Sequence, residues 1–261
     1  MNRSPLQFAA EAFPEPFRQL AEGTPIYDSS CSPEARVYFL DRDGGLFLKT
    51  ASKGSLAQEA EMTRYFHSKG LAPQVLDYTS LDRDWLLTPR IPGEDCLNPR
   101  YLEDPKRLCD TLAATLRQLH EEPFADCPRK DLNEQCVATV LANRAAGKFN
   151  ADLFPGTWVS EDPEEAWAIV REGMPRLKAD ALIHGDYCLP NVMLENWQFR
   201  GFLDVGGAGL GDRHFDLFWG CWSLWFNLKT EIYTNRFLDA YGRDAIDSQM
   251  LRIIAAIERY R

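Results

Sequence analysis

Three oxygen-bearing side chains lie at the ends of short apolar runs, where core packing does not require a polar residue. Asp186 follows the run ALI, Asn191 begins NVML, and Asp204 follows FRGFL. The last two runs, joined by ENWQ, predict a small antiparallel hairpin, which brings the start of one strand beside the end of the other. We therefore expect Asn191 and Asp204 to be neighbours, with Asp186 close by. This set suits Mg²⁺, which takes few protein ligands and keeps phosphate oxygens in its shell.

The spacing of these residues is typical of a phosphoryl-transfer site in kinase-like folds. In such sites one Asp orients the acceptor hydroxyl, while an Asn and a second Asp hold the metal ion. Asp186 is thus the candidate base, and Asn191 and Asp204 are the candidate Mg²⁺ ligands. His184 is the alternative base, because imidazole titrates near neutral pH. The role favoured for His184 is a hydrogen bond that shapes the loop.

A phosphoryl-transfer site also requires groups that hold the nucleotide phosphates. Lys49 ends the predicted strand LFLK, and Glu59 lies on the next predicted helix, on a partly apolar face. A Lys–Glu pair that grips the α- and β-phosphates fits both positions. The alternative is two unrelated, solvated charges. The sequence has no GxGxxG loop, and DSSCSPEA at 28–35, which contains Ser30, is the candidate substitute.

The surrounding elements predict a sheet-rich part followed by a helical part. ARVYFLDRDGGLFLKT indicates a hairpin with a DGG turn, and SLAQEAEMTRYFHSKG indicates a helix. With the runs APQVLDYTS and RDWLLTPRI, the first part becomes a sheet of about five strands with one helix. IPGEDCLNP marks the boundary, so we predict domains at 1–91 and 92–261. Helix caps are predicted at Asp104, Asp131, Asp162 and Asp247.

Composition limits the classes of partner. The 261 residues carry a net charge of −10 without a basic cluster, which disfavours nucleic acid and suits a cationic ligand. No apolar stretch approaches the roughly 20 residues that span a bilayer, and the start lacks the apolar core of a signal peptide. Seven cysteines without CxxC spacing indicate reduced, mostly buried thiols and a cytoplasmic protein. No protein partner is implied.

The sequence resembles the aminoglycoside phosphotransferases, and within them the branch that modifies the 3′-hydroxyl. The resemblance rests on HGDYCLPNVMLENWQFRGFLDVGGAGLGDRHFD, FLKT and RDWLLTPRIPGED, and it extends from about residue 20 to the chain end. It implies an α+β, bilobal protein-kinase-like fold with an antiparallel sheet lobe and a larger, mainly helical lobe. It also implies Mg²⁺-dependent transfer of the γ-phosphate of ATP or GTP to an aminoglycoside-like acceptor.

The resemblance also implies roles for individual residues. Asp186 becomes the catalytic base, Asn191 and Asp204 the Mg²⁺ ligands, and Lys49 with Glu59 the phosphate-positioning pair. The remaining implied roles are adenine stacking by Phe47, hydrogen bonds from the backbone of Pro89 and Ile91 to the base, and a position near the substrate and phosphates for Arg213.

The substrate-binding positions depart from the family pattern. Relatives carry an acidic cluster in the loop before the helix that precedes HGD, whereas KFNADLFPGTW keeps Asp152 and replaces the next acids by FPG. At the chain end, Glu258 matches one acid, Arg259 takes the place of another, and Arg261 replaces an aromatic residue. A cation there repels an ammonium group. We therefore predict a narrower aminoglycoside range, weaker binding, or a different acceptor.

Two alternatives to an aminoglycoside kinase remain at the level of sequence. One is a small-metabolite hydroxyl kinase with a choline-, sugar- or amino-alcohol-type acceptor. The other is a nucleotide-binding pseudoenzyme, which the intact Asp186, Asn191, Asp204 and Lys49 argue against.

Overall fold

The structure is a computed structural model that describes residues 4–6, 10–31 and 33–261. The strands are β1 (Ser4–Leu6), β2 (Ile26–Asp28), β3 (Ala35–Leu40), β4 (Leu46–Ser52), β5 (Asp77–Ser80), β6 (Arg83–Pro89), β7 (Glu94–Asp95), β8 (Ala181–Ile183), β9 (Val192–Glu195), β10 (Gln198–Phe202) and β11 (Gly209–Gly211). The helices are α1 (Glu15–Ala21), α2 (Ala57–Ser68), α3 (Pro99–Leu102), α4 (Pro105–His120), α5 (Leu132–Ala145), α6 (Pro163–Gly173), α7 (His214–Leu228), α8 (Ile232–Tyr241) and α9 (Ser248–Glu258).

The chain forms two compact units. Unit 1 comprises Met1–Asp95 and Val192–Gly206, and unit 2 comprises Cys96–Asn191 and Gly207–Arg261. Unit 1 thus includes the hairpin β9–β10, because β7 pairs with β9. The division into domains 1–91 and 92–261 stays a prediction.

Unit 1 is built on an antiparallel sheet with the strand order β1-β2-β3-β4-β6-β5. Side chains alternate between the two faces of a strand. On one face, Leu46 and Leu48 of β4 pack with Phe17 of α1 in a hydrophobic core. On the other face, Ala51 packs with Ala60 of α2. Lys49, two residues before Ala51, therefore belongs to the face that α2 covers.

Unit 1 contains more structure than the sequence suggested. The sheet has six strands instead of about five, because the short strands β1 and β2 pair along one edge. The short helix α1 is a second helix that the sequence analysis missed. Its prolines, Pro14 at the N-cap and Pro16 inside the first turn, obscured a seven-residue helix that begins at Glu15.

The predicted hairpin is confirmed in the order β10-β9-β7. Asn196 and Trp197 form its turn, with φ angles of 52° and 69°. Positive φ at both central residues is the geometry of a type I′ turn, whose twist matches that of the flanking strands. The tight turn sets the pairing of Gln198 with Glu195, and a bulge between Phe199 and Gly201 then shifts the register so that Val192 pairs with Phe202. The hairpin register therefore sets the positions of the residues just before β9 and just after β10.

Unit 2 is mainly helical, with β8 and β11 as a small antiparallel pair. The predicted caps are confirmed at Asp104, Asp162 and Asp247, whose side chains accept hydrogen bonds from backbone N–H groups of the first turn. Asp131 is the N-cap residue of α5, as predicted, but its side chain makes no capping hydrogen bond. Asp131 instead accepts a hydrogen bond from the amide of Gln135 at 2.8 Å.

The core of unit 2 is centred on α7 and α9. The sequence predicts that the aromatic segment 214–226 is a buried helix, and Phe215, Phe218 and Leu224 are indeed buried. Phe226 differs, since it is 45% exposed. The seven cysteines are free thiols and all but Cys31 are buried, as expected. None of the helices in the described part of the chain has the length and apolar character needed to cross a bilayer.

Candidate active site

A lysine and two carboxylates form one ion-pair cluster in unit 1. Lys49 Nζ lies 2.8 Å from both carboxylate oxygens of Glu59 and 2.8 Å from Oδ1 of Asp204. The alternation of β4 points Lys49 towards α2, and Glu59 in the first turn of α2 faces it. The predicted Lys49–Glu59 pair is therefore present as a contact, and Asp204 joins it.

The cluster keeps Lys49 charged. Burial alone would lower the pKa of Lys49, but the charges of Asp204 and Glu59 outweigh burial and raise it above its usual value. Burial raises the pKa of Glu59, which the charge of Lys49 opposes. With one cation and two carboxylates, the ionised cluster carries a net charge of −1. Lys49 can exchange one of its two carboxylate partners for a phosphate oxygen, and its charge is then still neutralised.

Asp204 is held in an unusual backbone conformation directly after β10. Its φ is +54°, which Asp tolerates better than most residues. The next turn approaches α2 closely, because Gln58 Nε2 donates a hydrogen bond of 2.7 Å to the carbonyl of Gly206. The side chain of Asp204 remains 55% exposed, so that it can reach both Lys49 and a ligand from solvent.

In unit 2, Asp186 and Asn191 are bound to each other. Asn191 Nδ2 donates hydrogen bonds to the Asp186 carboxylate at 2.8 Å and to the Asp186 carbonyl at 2.9 Å. The short turn between them, Leu189–Asn191, is a 3-10 helix. Because the amide nitrogen of Asn191 is engaged by Asp186, its side-chain oxygen is the group suited to a cation. The short spacing between Asp186 and Asn191 thus brings their side chains into contact.

A buried carboxylate fixes the backbone that carries Asp186. Asp216 of α7 accepts hydrogen bonds from the backbone N–H groups of His184 at 2.6 Å and Gly185 at 2.8 Å. Asp216 therefore organises the loop through these two hydrogen bonds. Gly185 has φ +80°, and a Cβ there would meet the carbonyl of Gly207 at 2.1 Å. The loop therefore needs both the carboxylate and the glycine.

His184 has the geometry of a structural residue. Its side chain is buried, and its Nδ1 accepts a hydrogen bond of 3.3 Å from the N–H of Asp186. A general base must reach the proton that it abstracts. An exposed substrate hydroxyl is more accessible to Asp186 than to this buried ring. The hydrogen bond that shapes the loop is confirmed.

His120, the last residue of α4, also contributes to the site, although the sequence did not indicate it. Its Nε2 lies 3.2 Å from the Asp216 carboxylate, and its Nδ1 lies 2.8 Å from the hydroxyl of Tyr241. His120 thus contacts the Asp216 carboxylate and helps to hold it in place. A histidine at the end of an amphipathic helix gives no signal of such a partner, because Asp216 lies almost 100 residues further along the chain.

The residues expected at the adenine base lie in unit 1. Phe47 shares the face of β4 that carries Lys49, and its ring contacts Phe39 with centroids 5.2 Å apart. Pro89 ends β6, and Ile91 follows it as a buried residue. Adenine contacts for these three residues stay predictions.

Ser30 lies in the segment 28–35, of which Ser32 is outside the described residues. The N–H of Ser30 donates to Asp28 Oδ1 at 2.9 Å, and its hydroxyl accepts a hydrogen bond of 3.0 Å from the N–H of Val37. Both groups stabilise the connection between β2 and β3. A phosphate contact from Ser30 stays a prediction.

The expected substrate residues do not form one group. Glu258 and Arg261 are joined by an ion pair of 2.7 Å. Arg213 pairs instead with Asp180, with Nε 3.3 Å from the carboxylate. Asp152 lies in the loop after α5, where its charge acts on Arg259. Substrate contacts for Asp152, Arg213, Glu258 and Arg261 stay predictions.

The backbone of the loop after α5 binds the guanidinium of Arg259. The side chain of Arg259 is only 1% exposed and donates hydrogen bonds to backbone carbonyls of this loop. The accepting carbonyls are those of Asn150, Ala151, Phe154 and Val159. The guanidinium also lies 4.0 Å from the ring centroid of Phe154. Arg259 therefore organises the loop after α5, and it also lines the cavity that Glu258 and Arg261 line.

Replacing Arg259 by methionine is expected to lower the free energy of unfolding by about 2–4 kcal/mol, because buried carbonyls lose their donors. Urea denaturation followed by circular dichroism measures the change. Arg252→Met is the control, since Arg252 is an exposed residue of the same helix. A loss for Arg259→Met no larger than that for the control would contradict the role of Arg259 as the loop anchor.

The two candidate Mg²⁺ ligands, Asp204 of unit 1 and Asn191 of unit 2, each carry an oxygen donor, and metal binding by them stays a prediction. Within residues 4–6, 10–31 and 33–261, no group of three or more His, Cys, Asp and Glu side chains could hold a metal ion. Asp204 offers an exposed carboxylate, and Asn191 offers an amide oxygen. Hard oxygen donors of this kind suit Mg²⁺, which retains water and phosphate ligands.

Comparisons with known proteins show to which family this chain belongs and which fold it shares. The model of the phosphotransferase enzyme family matches residues 32–252. A probable aminoglycoside 3′-phosphotransferase of Lactococcus lactis subsp. lactis is 46% identical over 98% of both chains. An aminoglycoside 3′-phosphotransferase of Streptomyces fradiae is 27% identical over 78% of this chain and 79% of its own.

A solved structure of a type VIII aminoglycoside 3′-phosphotransferase has the same fold, with a TM-score of 0.71 and 24% identity over 96% of each chain. The expected α+β, protein-kinase-like fold class is thereby confirmed. Since the family model covers well over half of the chain and the Lactococcus relative matches nearly all of it, this protein belongs to the phosphotransferase enzyme family.

Proposed function

We propose that this enzyme transfers the γ-phosphoryl group of a nucleoside triphosphate to the 3′-hydroxyl of an aminoglycoside. The observation that carries the proposal is the Asp186–Asn191 pair, held on an ordered loop. The 46% identity to a probable aminoglycoside 3′-phosphotransferase supports the substrate class. Such a transfer inactivates an antibiotic and thereby gives resistance.

In this proposal Asp186 receives the acceptor's proton. A bond forms between the acceptor oxygen and the γ-phosphorus while the bond from that phosphorus to the bridging oxygen breaks, and the nucleoside diphosphate leaves. Asn191 holds one carboxylate oxygen of Asp186 at 2.8 Å, which orients the other towards the hydroxyl. General-base catalysis of this kind contributes about 10²- to 10⁴-fold.

Lys49 is proposed to bind the α- and β-phosphates, with Glu59 holding its ammonium group in place. The exposed carboxylate of Asp204 and the amide oxygen of Asn191 are the proposed Mg²⁺ ligands. The bound ion would neutralise charge on the phosphates. Phe47, Pro89 and Ile91 are proposed to contact the base of ATP or GTP, and Ser30 is proposed to contact the phosphates.

The second candidate is a small-metabolite hydroxyl kinase. One observation favours it: Glu258, the acid that matches the family's substrate side, already has an internal cation in Arg261. A choline- or amino-alcohol-type acceptor needs fewer acidic contacts than a polyamine. A cytoplasmic location, and the absence of nucleic-acid, membrane and protein partners, stay predictions from the sequence.

The acceptor class is tested by turnover. We expect the purified enzyme with Mg·ATP or Mg·GTP to release nucleoside diphosphate in the presence of aminoglycosides, with products that mass spectrometry identifies as monophosphorylated. Choline, amino alcohols and simple sugars serve as comparison acceptors. Turnover of these acceptors but of no aminoglycoside would reject the proposed substrate class. A thermal shift with Mg-nucleotide, recorded in parallel, checks that the nucleotide site is occupied, because a ligand that binds the native state raises Tm.

A further inference from the structure

Unit 2 contains a cavity of about 300 Å³ beside the end of α9. We call it the α9 cavity. Phe149 and Leu153 of the loop after α5 line one part of it, and Trp219 of α7 lines another. Glu258 contributes the acidic group, and Lys148, Arg259 and Arg261 contribute basic groups. The cavity therefore combines aromatic and apolar walls with one carboxylate, which pairs with Arg261.

The carboxylate of Glu258 is almost fully enclosed. Its side chain is 3% exposed, and Arg261 Nη1 donates a hydrogen bond of 2.7 Å to Oε1. Trp219 lines the same cavity and favours the ionised carboxylate by lowering the pKa of Glu258. Burial raises the pKa of Glu258, while the charge of Arg261 lowers it and so favours the ionised form. Because a buried carboxylate requires a partner, the cation of Arg261 meets a physical need of this site.

Arg261 is positioned by its backbone but open to solvent. Its N–H donates to the carbonyl of Glu258 at 3.2 Å, and Asn143 Nδ2 donates to the carbonyl of Tyr260 at 2.8 Å. The side chain of Arg261 is nevertheless 37% exposed. The guanidinium can therefore leave the carboxylate without unfolding the surrounding chain.

The pair also lies within electrostatic range of the candidate base. The charge of Asp186 contributes to raising the pKa of both Arg261 and Glu258, after the larger effects of Glu258 on Arg261 and of burial on Glu258. The Glu258–Arg261 pair and Asp186 thus interact electrostatically within unit 2, as a common acceptor site in the proposed function requires.

We propose that Arg261 is an internal counter-cation that occupies Glu258 in place of an ammonium group of the acceptor, and that Arg261 thereby determines acceptor specificity. The inference rests on the proposed function, since it concerns the acceptor of the same reaction. A polyamine acceptor must displace the guanidinium before it can pair with Glu258. An acceptor that presents a hydroxyl or ether oxygen at this position instead accepts a hydrogen bond from Arg261.

The test compares charge variants of Arg261 for kanamycin binding by isothermal titration calorimetry, without nucleotide. Arg261→Gln removes the cation but keeps a hydrogen-bond donor for Glu258. We expect it to bind kanamycin about fivefold or more tightly than the wild type, the scale of a partly exposed ion pair. Arg261→Lys retains a cation and should show a smaller change. In turnover assays Arg261→Gln should lower KM for kanamycin more than it changes kcat.

Two further variants separate an effect of the Glu258–Arg261 pair from an effect of net charge. Arg243→Ala removes an exposed cation that pairs with Asp239, in the same unit and outside the α9 cavity, and controls for net charge. Glu258→Gln combined with Arg261→Gln should abolish the gain, because no carboxylate remains for the ammonium group. The tertiary fold of each variant is checked by Tm.

Equal kanamycin affinity of Arg261→Gln and wild type, an equal gain in Arg243→Ala, or no binding by any variant would overturn the inference. These outcomes are distinct from failure of the proposed function, which appears as the absence of aminoglycoside turnover. Tighter binding by Arg261→Gln without turnover would support the inference and reject the proposed reaction.

Discussion

Replacing Asp186 by asparagine is expected to lower kcat by about 10²- to 10⁴-fold, because the group that accepts the hydroxyl proton is lost. Asparagine keeps the size of the side chain and an oxygen that can accept the hydrogen bond from Asn191, so the loop geometry is retained. We expect nucleotide affinity, measured by calorimetry, to stay near that of the wild type. Steady-state kinetics with a saturating aminoglycoside measure the loss.

Asp239→Asn is the matched control for this substitution. Asp239 pairs with Arg243 on the exposed surface of unit 2, so the same change of charge is made outside the site. A kcat for Asp186→Asn close to that of the control would remove Asp186 from the role of base. His184→Gln, with its hydrogen bond to the Asp186 N–H retained by the amide oxygen, would then be the next variant to measure.

Replacing Lys49 by methionine is expected to lower kcat/KM for the nucleotide by about 10²- to 10³-fold, since the substitution removes the charge that is proposed to bind the nucleotide phosphates. It also leaves Glu59 buried beside Asp204 without their shared cation. We therefore expect Tm to fall as well, and KM for the aminoglycoside to change less than KM for the nucleotide. Initial rates at varied ATP, with thermal denaturation alongside, measure these effects.

Lys53→Met is the control for Lys49, because Lys53 is an exposed lysine just beyond the same strand. It should change neither kinetic parameter nor Tm beyond experimental error. Retention of nucleotide KM in Lys49→Met would show that the ion-pair cluster is structural and does not bind phosphate.

The local contacts of the candidate site could be predicted from the sequence where chemistry and periodicity coincide. The alternation of β4 places Lys49 on the face towards α2, and the helical period places Glu59 in the turn that meets it. Asp186 and Asn191 are close in sequence, so a single short turn brings them together. In the first case the regular periods of a strand and a helix set the geometry. In the second case the short distance along the chain sets it.

Other features depend on packing between distant segments, for which one sequence carries no signal. His120 contacts Asp216 only because α4 and α7 pack side by side. Arg259 follows Glu258 directly and both are buried, but Arg259 donates to carbonyls of the loop after α5 whereas Glu258 pairs with Arg261. These different partners depend on the direction of each side chain at the end of α9, which the order of residues alone does not predict.

The shared lysine of unit 1 has a consequence for the enzyme in the cell. Lys49 already has two carboxylate partners, and the cluster carries a net negative charge. In the proposed function, a small anion that approaches Lys49 without a metal ion would therefore meet a net negative charge. A nucleotide that arrives with Mg²⁺ would instead bring a cation for the carboxylate of Asp204. The acidic surroundings of Lys49 would in this way favour a metal-bound nucleotide over free phosphate.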